Sequence, residues 1–543
     1  MSETVKLKIN GVEHELPKGL SILQAAKKIG VHIPYFCWHK HLSVSGNCRM
    51  CLVEVKPGPP KPSIACGTPI AEGMEVFTET DSIRAARKSV LEFLLLNHPL
   101  DCPVCDEAYE CKLQDYTFKY GATTSRFTPF HEQKRVFIRQ NLGKLFVEMN
   151  RCIHCTRCVR FLREVAGEYE LERTHRGHEL KIHTYKKAFE SDFAINAADL
   201  CPVGALEDRK FRFSARNWDL VRTPSICPSC SIGCNIFIDV YDNQIKRLLP
   251  RENNAVNATW ICDAGRHNVG FVNKNRLNSA YLRQGGELVP TALPEVIDRT
   301  ANEVARIRER HGAEALAMLL SPWMTNEELF LGKKLASLMG LQRMGALLGY
   351  NHRPIVPVMS DILPKTLVSD DKTPNSTGAR LLNLREGDED FTFGHELLAA
   401  IEDGRVKGLI LFHEDLAQRP GFDPAVVDAT LARLEFLLVV AWSPTVAGAH
   451  AHAMLPAPTF AEKHGTFTNH GKRVQRLRKA LSAPADVPSE LQLLTMLGRA
   501  FDPGFGFDKA RTAFEAMVRE EAAFAGLDWE QISKLSELGL SES

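Results

Sequence analysis

The sequence predicts a series of small α+β metal-binding domains followed by one larger, doubly wound α/β domain. Two observations predict it. All fifteen cysteines lie at or before Cys262, in sets of four, three, four and four. From about residue 290 the texture changes: helix-like stretches 293–310, 326–339 and 425–434 alternate with apolar strand-like runs 315–320, 408–412 and 436–442, the pattern of a parallel sheet flanked by helices.

Length and charge narrow the function classes. A chain of 543 residues holds roughly three or four domains. A net charge of +1 implies no nucleic-acid or membrane-surface field. The start, Met1-Ser2-Glu3-Thr4, lacks an apolar signal region. The longest apolar runs, such as 436–442, are far too short to span a bilayer, so the expectation is a soluble protein that reaches a membrane only through partners. An odd cysteine count without a signal argues against a disulfide framework. Packing cysteines do not gather at two-residue spacings and then vanish, which leaves iron–sulfur or zinc.

Residues 4–16 read as a hairpin. Val5, Leu7 and Ile9 alternate with polar residues, Asn10-Gly11 supplies a type I′ turn, and Val12 to Leu16 return. Ser21 caps a short helix through Lys28, ended by Gly30. Hairpin, helix and cysteine loop in this order suit a ferredoxin-like β-grasp domain over 1–80. Asp81 or Ser82 then caps a helix with Ile83, Ala86, Val90 and Leu94 on one face. That helix ends at Asn97-His98-Pro99, which delivers His98 beside Cys102, and 81–140 forms a second, largely helical domain. The third cysteine set occupies 141–220, the fourth 221–280, and the α/β domain 285–543. No internal repeat is present.

The four sets have distinct spacings. Cys37, Cys48, Cys51 and Cys66 keep the tight pair and distant fourth cysteine of a plant-type 2Fe–2S loop, with a longer first gap; Gly46 would let backbone amides approach, and a zinc site is the alternative. His98, Cys102, Cys105 and Cys111 form the short set. The arithmetic favours His98 as a ligand, because fifteen thiols and one imidazole make sixteen ligands for four centres. The alternative is a helix-end histidine. His39, His41 and His154 lie near complete sets and read as ordinary polar residues. Cys152, Cys155 and Cys158 begin a C-x2-C-x2-C-x3-C-P run whose fourth position is Leu162. Cys201-Pro202 supplies the ending, and counting back from it gives Ser191, Ala194 and Ala197 where a second run would hold cysteines. The segment therefore reads as a degenerate two-cluster ferredoxin module holding one 4Fe–4S cluster. Cys227, Cys230, Cys234 and Cys262 form the last set; its three-residue gap and the following α/β texture favour 4Fe–4S over a zinc ribbon.

In order and spacing, these sets resemble the large iron–sulfur subunits of respiratory complex I, the NADH:quinone oxidoreductases. The resemblance is strong over the first 270 residues. The fourth set resembles the cluster domain that opens molybdopterin oxidoreductases such as formate dehydrogenases. Ser321-Pro-Trp-Met-Thr-Asn-Glu-Glu328 and Leu455-Pro-Ala-Pro-Thr-Phe-Ala-Glu-Lys-His-Gly-Thr-Phe-Thr-Asn469, continued by Gly471-Lys-Arg-Val-Gln475, look like loops of that family. The departures are the lack of any cysteine after Cys262, Asp263-Ala264 where those enzymes often carry a lysine, and a short C-terminal part. The C-terminal domain is therefore expected to be a scaffold without molybdenum cofactor.

The resemblance implies an electron-transfer subunit with one 2Fe–2S and three 4Fe–4S clusters. Electrons would arrive from a flavin subunit that oxidises NADH, at the Cys37 set, and pass through the Cys152 and His98 sets. A ferredoxin-like two-cluster subunit would take them toward quinone-site subunits, with the membrane arm reached indirectly. The implied location is the cytoplasmic face of the inner (plasma) membrane. The Cys227 set lies off that line in related subunits. No G-x-G-x-x-G is present, so NADH and flavin binding fall to a partner. The rival readings are the electron-transfer subunit of a soluble NAD-linked hydrogenase or formate dehydrogenase, a catalytic molybdenum formate dehydrogenase, an iron hydrogenase, and a binding-only zinc protein.

Overall fold

The structure is a computed structural model that describes residues 3–126, 139–176, 179–186, 188–348, 367, 369–384, 392–419 and 421–538. The end of the 81–140 segment, residues 127–138, lies outside the described residues. By contact, one unit comprises Met1–Leu220 and a second begins at Val221.

In the first unit, β1 (Thr4–Ile9) and β2 (Val12–Pro17) form the hairpin, turning through Asn10 and Gly11 at φ 52° and 83°. The helix α1 (Ile22–Lys28) carries a full capping box from Ser21 and Gln24, which satisfies two orphan backbone donors reciprocally. With β3 (Leu52–Lys56), β4 (Ser63–Ile64) and β5 (Glu75–Phe77) the sheet order is β2-β1-β5-β3-β4. Its apolar face packs Val5, Leu7, Val53 and Val76 against Ile22, Leu23 and Ala26 of α1.

The helix α2 (Asp81–Asn97) departs from expectation in two ways. Its cap is Thr80, which accepts from the Ile83 amide, because the chain turns helical one residue earlier than the acidic signal suggested. Its buried ridge is Ile83, Arg87 and Leu91, with Ala86, Val90 and Leu94 beside it, less deeply enclosed. Arg87 is enclosed because its guanidinium reaches Glu79 (2.8 Å) and the Leu52 carbonyl (3.3 Å). The unit continues with α3 (Lys112–Tyr120), β6 (Arg139–Leu142), β7 (Leu145–Glu148), α4 (Arg157–Glu164), β8 (Glu172–Thr174), β9 (Lys181–His183), α5 (Asn196–Leu200) and β10 (Leu206–Asp208). Strands β10, β7 and β6 make a small antiparallel sheet. Leu162, Ala194 and Ala197 are fully buried, and Ser191 nearly so; of the positions where a second run would hold cysteines, Ala194 and Ala197 pack as apolar groups and Ser191 Oγ accepts from the Phe193 amide at 3.1 Å.

The second unit opens with an antiparallel sheet of β11 (Val221–Ile226), β12 (Asn235–Tyr241) and β13 (Gln244–Pro250). Short helices α6 (Asp263–His267) and α7 (Gly270–Asn273) follow, then β14 (Ala280–Gln284), β15 (Glu287–Thr291), α8 (Leu293–His311), β16 (Leu316–Leu320), α9 (Asn326–Leu338) and β17 (Arg343–Ala346). The chain continues through α10 (Ser376–Leu381), α11 (Thr392–Glu402), β18 (Gly408–Phe412), α12 (Pro424–Leu431), β19 (Phe436–Ala441), β20 (Ala453–Pro456), β21 (Gly465–Thr468) and β22 (Val474–Leu477). It closes with α13 (Glu490–Arg499), α14 (Ala510–Glu520) and α15 (Trp529–Leu538).

The main sheet has seven strands in the order β15-β14-β20-β19-β18-β16-β17. Neighbours from β20 to β17 are parallel, and the β14–β15 hairpin adds an antiparallel edge. Both faces are buried. Met318, Leu320, Ile410, Phe412, Leu438 and Val440 meet one set of helices, while Leu319, Leu409, Leu411, Leu437 and Val439 meet another. That is why these strands read as continuous apolar runs rather than alternating ones.

This packing sets two expected outcomes. Leu438 is fully buried in the central strand β19; Leu438→Ala should cost about 2–5 kcal/mol, read from the denaturant midpoint of the second unit's transition. The other concerns His413, whose ring nitrogen Nε2 meets Glu490 at 2.7 Å. Burial, then the Lys463 charge, push its imidazole down to about 3 from 6.5. Its stabilising contribution is therefore complete above pH 6.5 and lost as pH falls toward 3. Glu327 and Glu328, raised to about 7 mainly by burial, act with the opposite sign: their contribution is lost as pH rises through 7. The difference between wild type and His413→Gln should isolate the histidine contribution, with the wild type losing about 1 kcal/mol relative to the variant between roughly pH 7 and pH 5.5.

Candidate metal centres

Each cysteine set sits on a loop held in an unusual backbone conformation. Gly46 and Arg49 lie on either side of Cys48 at φ 64° and 57°, Tyr109 precedes Cys111 at 81°, His154 and Thr156 bracket Cys155 at 54° and 63°, and Gly233 precedes Cys234 at 64°. Left-handed residues outside glycine are uncommon and persist where surrounding structure holds them. Such turns point successive amides toward one side, the geometry that receives sulfide or thiolate.

The first set converges. The Cys37 amide donates to Cys48 Sγ at 3.5 Å. The Cys37 thiol is pulled well down by hydrogen bonds from Cys48 and Cys66, and those two are pushed up in return. Cys51 is likewise held down by Cys66. The four sulfurs therefore lie within hydrogen-bonding reach of one another.

The third set surrounds a cavity: Cys152, Cys155, Cys158 and Cys201 all line it. Burial, followed by the charge of neighbouring cysteines, raises the Cys158 and Cys201 thiols well above the usual range. The His154 amide donates to Cys152 Sγ at 3.4 Å.

The second set is built from two segments. His98 forms the C-cap of α2. Burial, then the Arg151 charge, lower its imidazole to about 4, against a weaker pull from Asp101. The ring is thus neutral at pH 7, as a metal ligand must be. Cys105 and Cys111 are buried and Cys102 is exposed. Cys105 lies so close to Gly204 that a side-chain carbon there would sit 2.2 Å from its sulfur. Arg151 ties the set to the sheet, bonding Asp101 (3.2 Å), Glu207 (2.7 Å) and the Gly204 carbonyl (3.3 Å). Cys111 Sγ approaches the Pro202 carbonyl at 3.8 Å, next to Cys201 of the third set. One apolar core, with Phe36, Met50, Leu91, Leu113 and Val203, packs cysteines of all three sets: Cys37 and Cys48, Cys111, and Cys152, Cys155 and Cys201.

The fourth set lies in the second unit. The Cys227 amide donates to the Cys234 carbonyl at 2.8 Å, closing the loop between β11 and β12. All four cysteines are buried. Burial and mutual charge raise Cys227 to about 12 and Cys262 to about 11. Gly265 faces both sulfurs; an added side-chain carbon would sit 3.1 Å from Cys227 Sγ and 3.2 Å from Cys262 Sγ. The loop is gripped by the later motif: Asn469 donates to the Ile232 carbonyl (3.1 Å) and Gln475 to the Gly233 carbonyl (2.9 Å).

Among the described residues, no three His, Cys, Asp or Glu side chains are gathered in the manner of a single-ion site. A zinc ion needs ligand sulfurs about 2.3 Å from one point. Thiols arranged around a cavity, as at the third set, leave room for a polynuclear core, and the all-thiol donor sets suit iron–sulfur chemistry.

Sequence reasoning missed Arg151, Gly204 and Gly265. A signal existed for the glycines: Cys201-Pro-Val-Gly204 and Cys262-Asp-Ala-Gly265 share one spacing. His39 and His41 are not ordinary polar residues. Burial first, and then neighbouring cations, hold them at about 3 and about 4.

At the C-terminal ends of the parallel strands, where open α/β sheets bind ligands, polar groups are engaged with one another. Lys463 bonds Glu328 (2.9 Å) and Glu490 (2.6 Å), Arg419 bonds Glu414 (2.7 Å), and His413 stacks on Trp442 at 4.5 Å between ring centres. Among the described residues, Lys463 and Arg419 are thus committed to carboxylates of this domain.

Comparison with known proteins gives a consistent assignment. Residues 2–81 match the 2Fe-2S iron-sulfur cluster binding domain, and 87–126 the NADH-ubiquinone oxidoreductase-G iron-sulfur binding region. Residues 144–207 match the ferredoxin-like domain of NADH-quinone oxidoreductase subunit 3. Residues 220–274 match the molybdopterin oxidoreductase Fe4S4 domain, and 376–499 match molybdopterin oxidoreductase. The NADH-ubiquinone oxidoreductase 75 kDa subunit of Reclinomonas americana is 42% identical over 342 residues, 63% of this chain and 48% of the relative. The mitochondrial NADH-ubiquinone oxidoreductase 78 kDa subunit of Neurospora crassa is 39% identical over 356 residues, 65% of this chain and 47% of the relative. The chain thus spans about half the length of these relatives. A chain from the crystal structure of an NAD+-reducing NiFe-hydrogenase in the H2-reduced state is 28% identical with a TM-score of 0.35, over 39% of this chain and 90% of that chain. The chain is a relative of the 75 kDa iron–sulfur proteins of NADH-quinone oxidoreductase, carrying a 2Fe–2S domain, 4Fe–4S regions and a molybdopterin oxidoreductase domain.

Proposed function

We propose that this chain is the iron–sulfur electron-transfer subunit of a proton-pumping NADH:quinone oxidoreductase. One observation carries the reading: a single apolar core contains cysteines of three separate sets, so centres held there lie in sequence through one protein body. The ligands are Cys37, Cys48, Cys51 and Cys66 for a 2Fe–2S cluster. Three 4Fe–4S clusters are held by His98, Cys102, Cys105 and Cys111, by Cys152, Cys155, Cys158 and Cys201, and by Cys227, Cys230, Cys234 and Cys262. Bound clusters of these kinds accept and donate one electron at a time. The chain's own work is to hold thiolates at fixed spacing, keep water from the core and supply amide donors to sulfur. His98 contributes a neutral nitrogen where the other sets contribute a fourth negative thiolate.

The partners under this reading are a flavin subunit that oxidises NADH, a ferredoxin-like two-cluster subunit, and quinone-site subunits attached to a membrane arm. The place of action is the cytoplasmic face of the membrane that carries them. Among the described residues no helix is long and apolar enough to cross a membrane, which agrees with attachment through such partners. The α/β domain serves as a scaffold for the fourth set.

The test is electron flow in the assembled complex. The wild-type chain should carry about fourteen irons, two in one cluster and four in each of three. Cys155→Ala should lose one cluster and abolish NADH-driven quinone reduction. Cys230→Ala, in a set off the relay, should retain a substantial share of it once assembled. Equal loss in both variants, with their other clusters intact, would show that the proposed relay order is wrong. His98→Cys should keep its four-iron cluster and lower its midpoint in an EPR-monitored titration, because the extra thiolate adds negative charge; a tenfold change in the reduction equilibrium is about 59 mV. An unchanged midpoint, with the cluster equally intact in His98→Ala, would remove His98 from the ligand list.

A further inference from the structure

Two guanidiniums on α4 join the first and third cysteine loops. Arg157 is buried and donates to the Trp38 carbonyl at 2.7 Å and to the Leu200 carbonyl at 3.2 Å. Arg160, three residues on and half-buried, donates to the Cys37 carbonyl and to the Cys155 carbonyl, the latter at 3.4 Å. It also reaches the Ser43 carbonyl and, at 3.3 Å, Thr156 Oγ1. Each arginine therefore holds at least one backbone oxygen in the Cys37 segment and one at or beside a cysteine of the Cys152–Cys201 set. Smaller contacts run along the same seam: Asn47 Nδ2 to the His154 carbonyl (2.9 Å), the Ser43 amide to Glu164 (2.8 Å), and Ser45 to Thr156 (3.3 Å).

The partners of Arg157 are what make the pair informative. Its hydrogen bonds go to carbonyls rather than to a carboxylate. It lies over the Tyr35 ring at 5.8 Å, a ring that Lys27 and Lys112 also approach, at 5.4 and 4.7 Å. Burying a cation among other cations is unfavourable unless negative charge stands nearby. Glu107 acts on Lys112, but among the described residues no carboxylate hydrogen-bonds Arg157 itself, and the two cysteine sets beside it become negative once their thiols are deprotonated by metal. Glu164, whose carboxylate bonds Ser43, offsets part of the Arg160 charge but lies at the outer end of the seam.

We propose that Arg157 and Arg160 are positioning residues for electron transfer between the Cys37 and Cys152 centres: they fix the spacing of the two loops and place positive charge between two anionic clusters, which favours the reduced state of both. This rests on the cluster assignments proposed above. An arginine suits the task because its planar fork serves two acceptors at once and stays charged, whereas a lysine keeps the charge but has no fork. Arg157 and Trp38 stand 119 positions apart in sequence, so no local hydrogen bond could hold the two loops in register.

The experiment is a redox titration of the assembled complex, followed by EPR, for wild type, Arg157→Gln, Arg157→Lys and Arg160→Gln. Wild-type spectra first establish a two-iron and a four-iron centre at these sets; their absence would defeat the cluster assignment itself, a failure distinct from that of the arginine proposal. With iron content equal to wild type, Arg157→Gln should shift the reduction equilibrium of both centres at least tenfold toward the oxidised state, about 59 mV. The Cys227 centre should stay where it is. Arg157→Lys should recover at least half of the shift. Unchanged potentials at both sets in the glutamine variant, an equal shift at the Cys227 centre, or a lysine variant no better than glutamine each overturns the proposal. If Arg157→Gln loses iron, Arg160→Gln carries the same requirement. If both lose iron, hydrogen exchange on the metal-free chains decides: residues 37–48 must exchange at least tenfold faster than in wild type while 227–262 do not, and unchanged exchange at 37–48 overturns the proposal.

Discussion

The first unit depends on burying sulfur without burying uncompensated charge. Thiols enclosed in apolar surroundings resist ionisation: burial pushes Cys111 to about 12 and carries Cys158 and Cys201 well above their ordinary range. A neutral thiol in a core is only a small hydrophobic group. As a thiolate it is costly unless a metal takes the charge, so metal affinity and folding free energy become one quantity. The same logic bears on the three arginines that sit among these loops. Arg151, Arg157 and Arg160 sit on the segment that carries Cys152, Cys155 and Cys158, and each directs N–H groups to backbone carbonyls of neighbouring ligand loops. They tie the loops together with donors that do not compete for metal and with charge that a cluster can balance.

Much of this was legible in the sequence because it is local. The Asn10-Gly11 turn, the Ser21 capping box and the apolar runs of β16, β18 and β19 each involve residues within a few positions of one another. The cysteine sets were legible for the same reason, since C-x2-C spacing is fixed by the reach of one loop. What was not legible is long-range. The cap at Thr80 is the local exception, one residue outside the expected pair. The apolar face read for α2 did not include Arg87, whose partners Glu79 and Leu52 lie outside the helix. Arg157 meets Trp38 across 119 positions, and nothing in the local sequence distinguishes it from a solvated arginine on a helix. His39 and His41 read as polar loop residues because their burial is decided by the fold around them. Gly204 sits between these cases: its position after Cys201 is visible, but the sulfur that forbids a side chain there is Cys105, from a different set.

The α/β domain poses a different question, how a domain built around a parallel sheet bears on the fourth cysteine set. Its geometry supplies an answer. The loop of the fourth set lies across residues that come from far along the chain. The Ser231 amide donates to the Asp371 carbonyl and its own carbonyl accepts from His470, at 2.9 and 2.8 Å. Asn469 and Gln475 take the next two carbonyls, Ile232 and Gly233. Those two residues are in turn placed by β21 and β22, where Thr466 and Thr468 bond Glu327, Asn326 and Asn375. The chain of contacts runs from the polar network at the sheet's edge to the backbone of a cysteine loop. Removing the domain would strip successive carbonyls of their donors, and a loop bent through Gly233 at φ 64° would have little left to hold it. The two motifs thus act on the protein itself: through Asn469 and Gln475 they brace the backbone of the loop that carries Cys230 and Cys234.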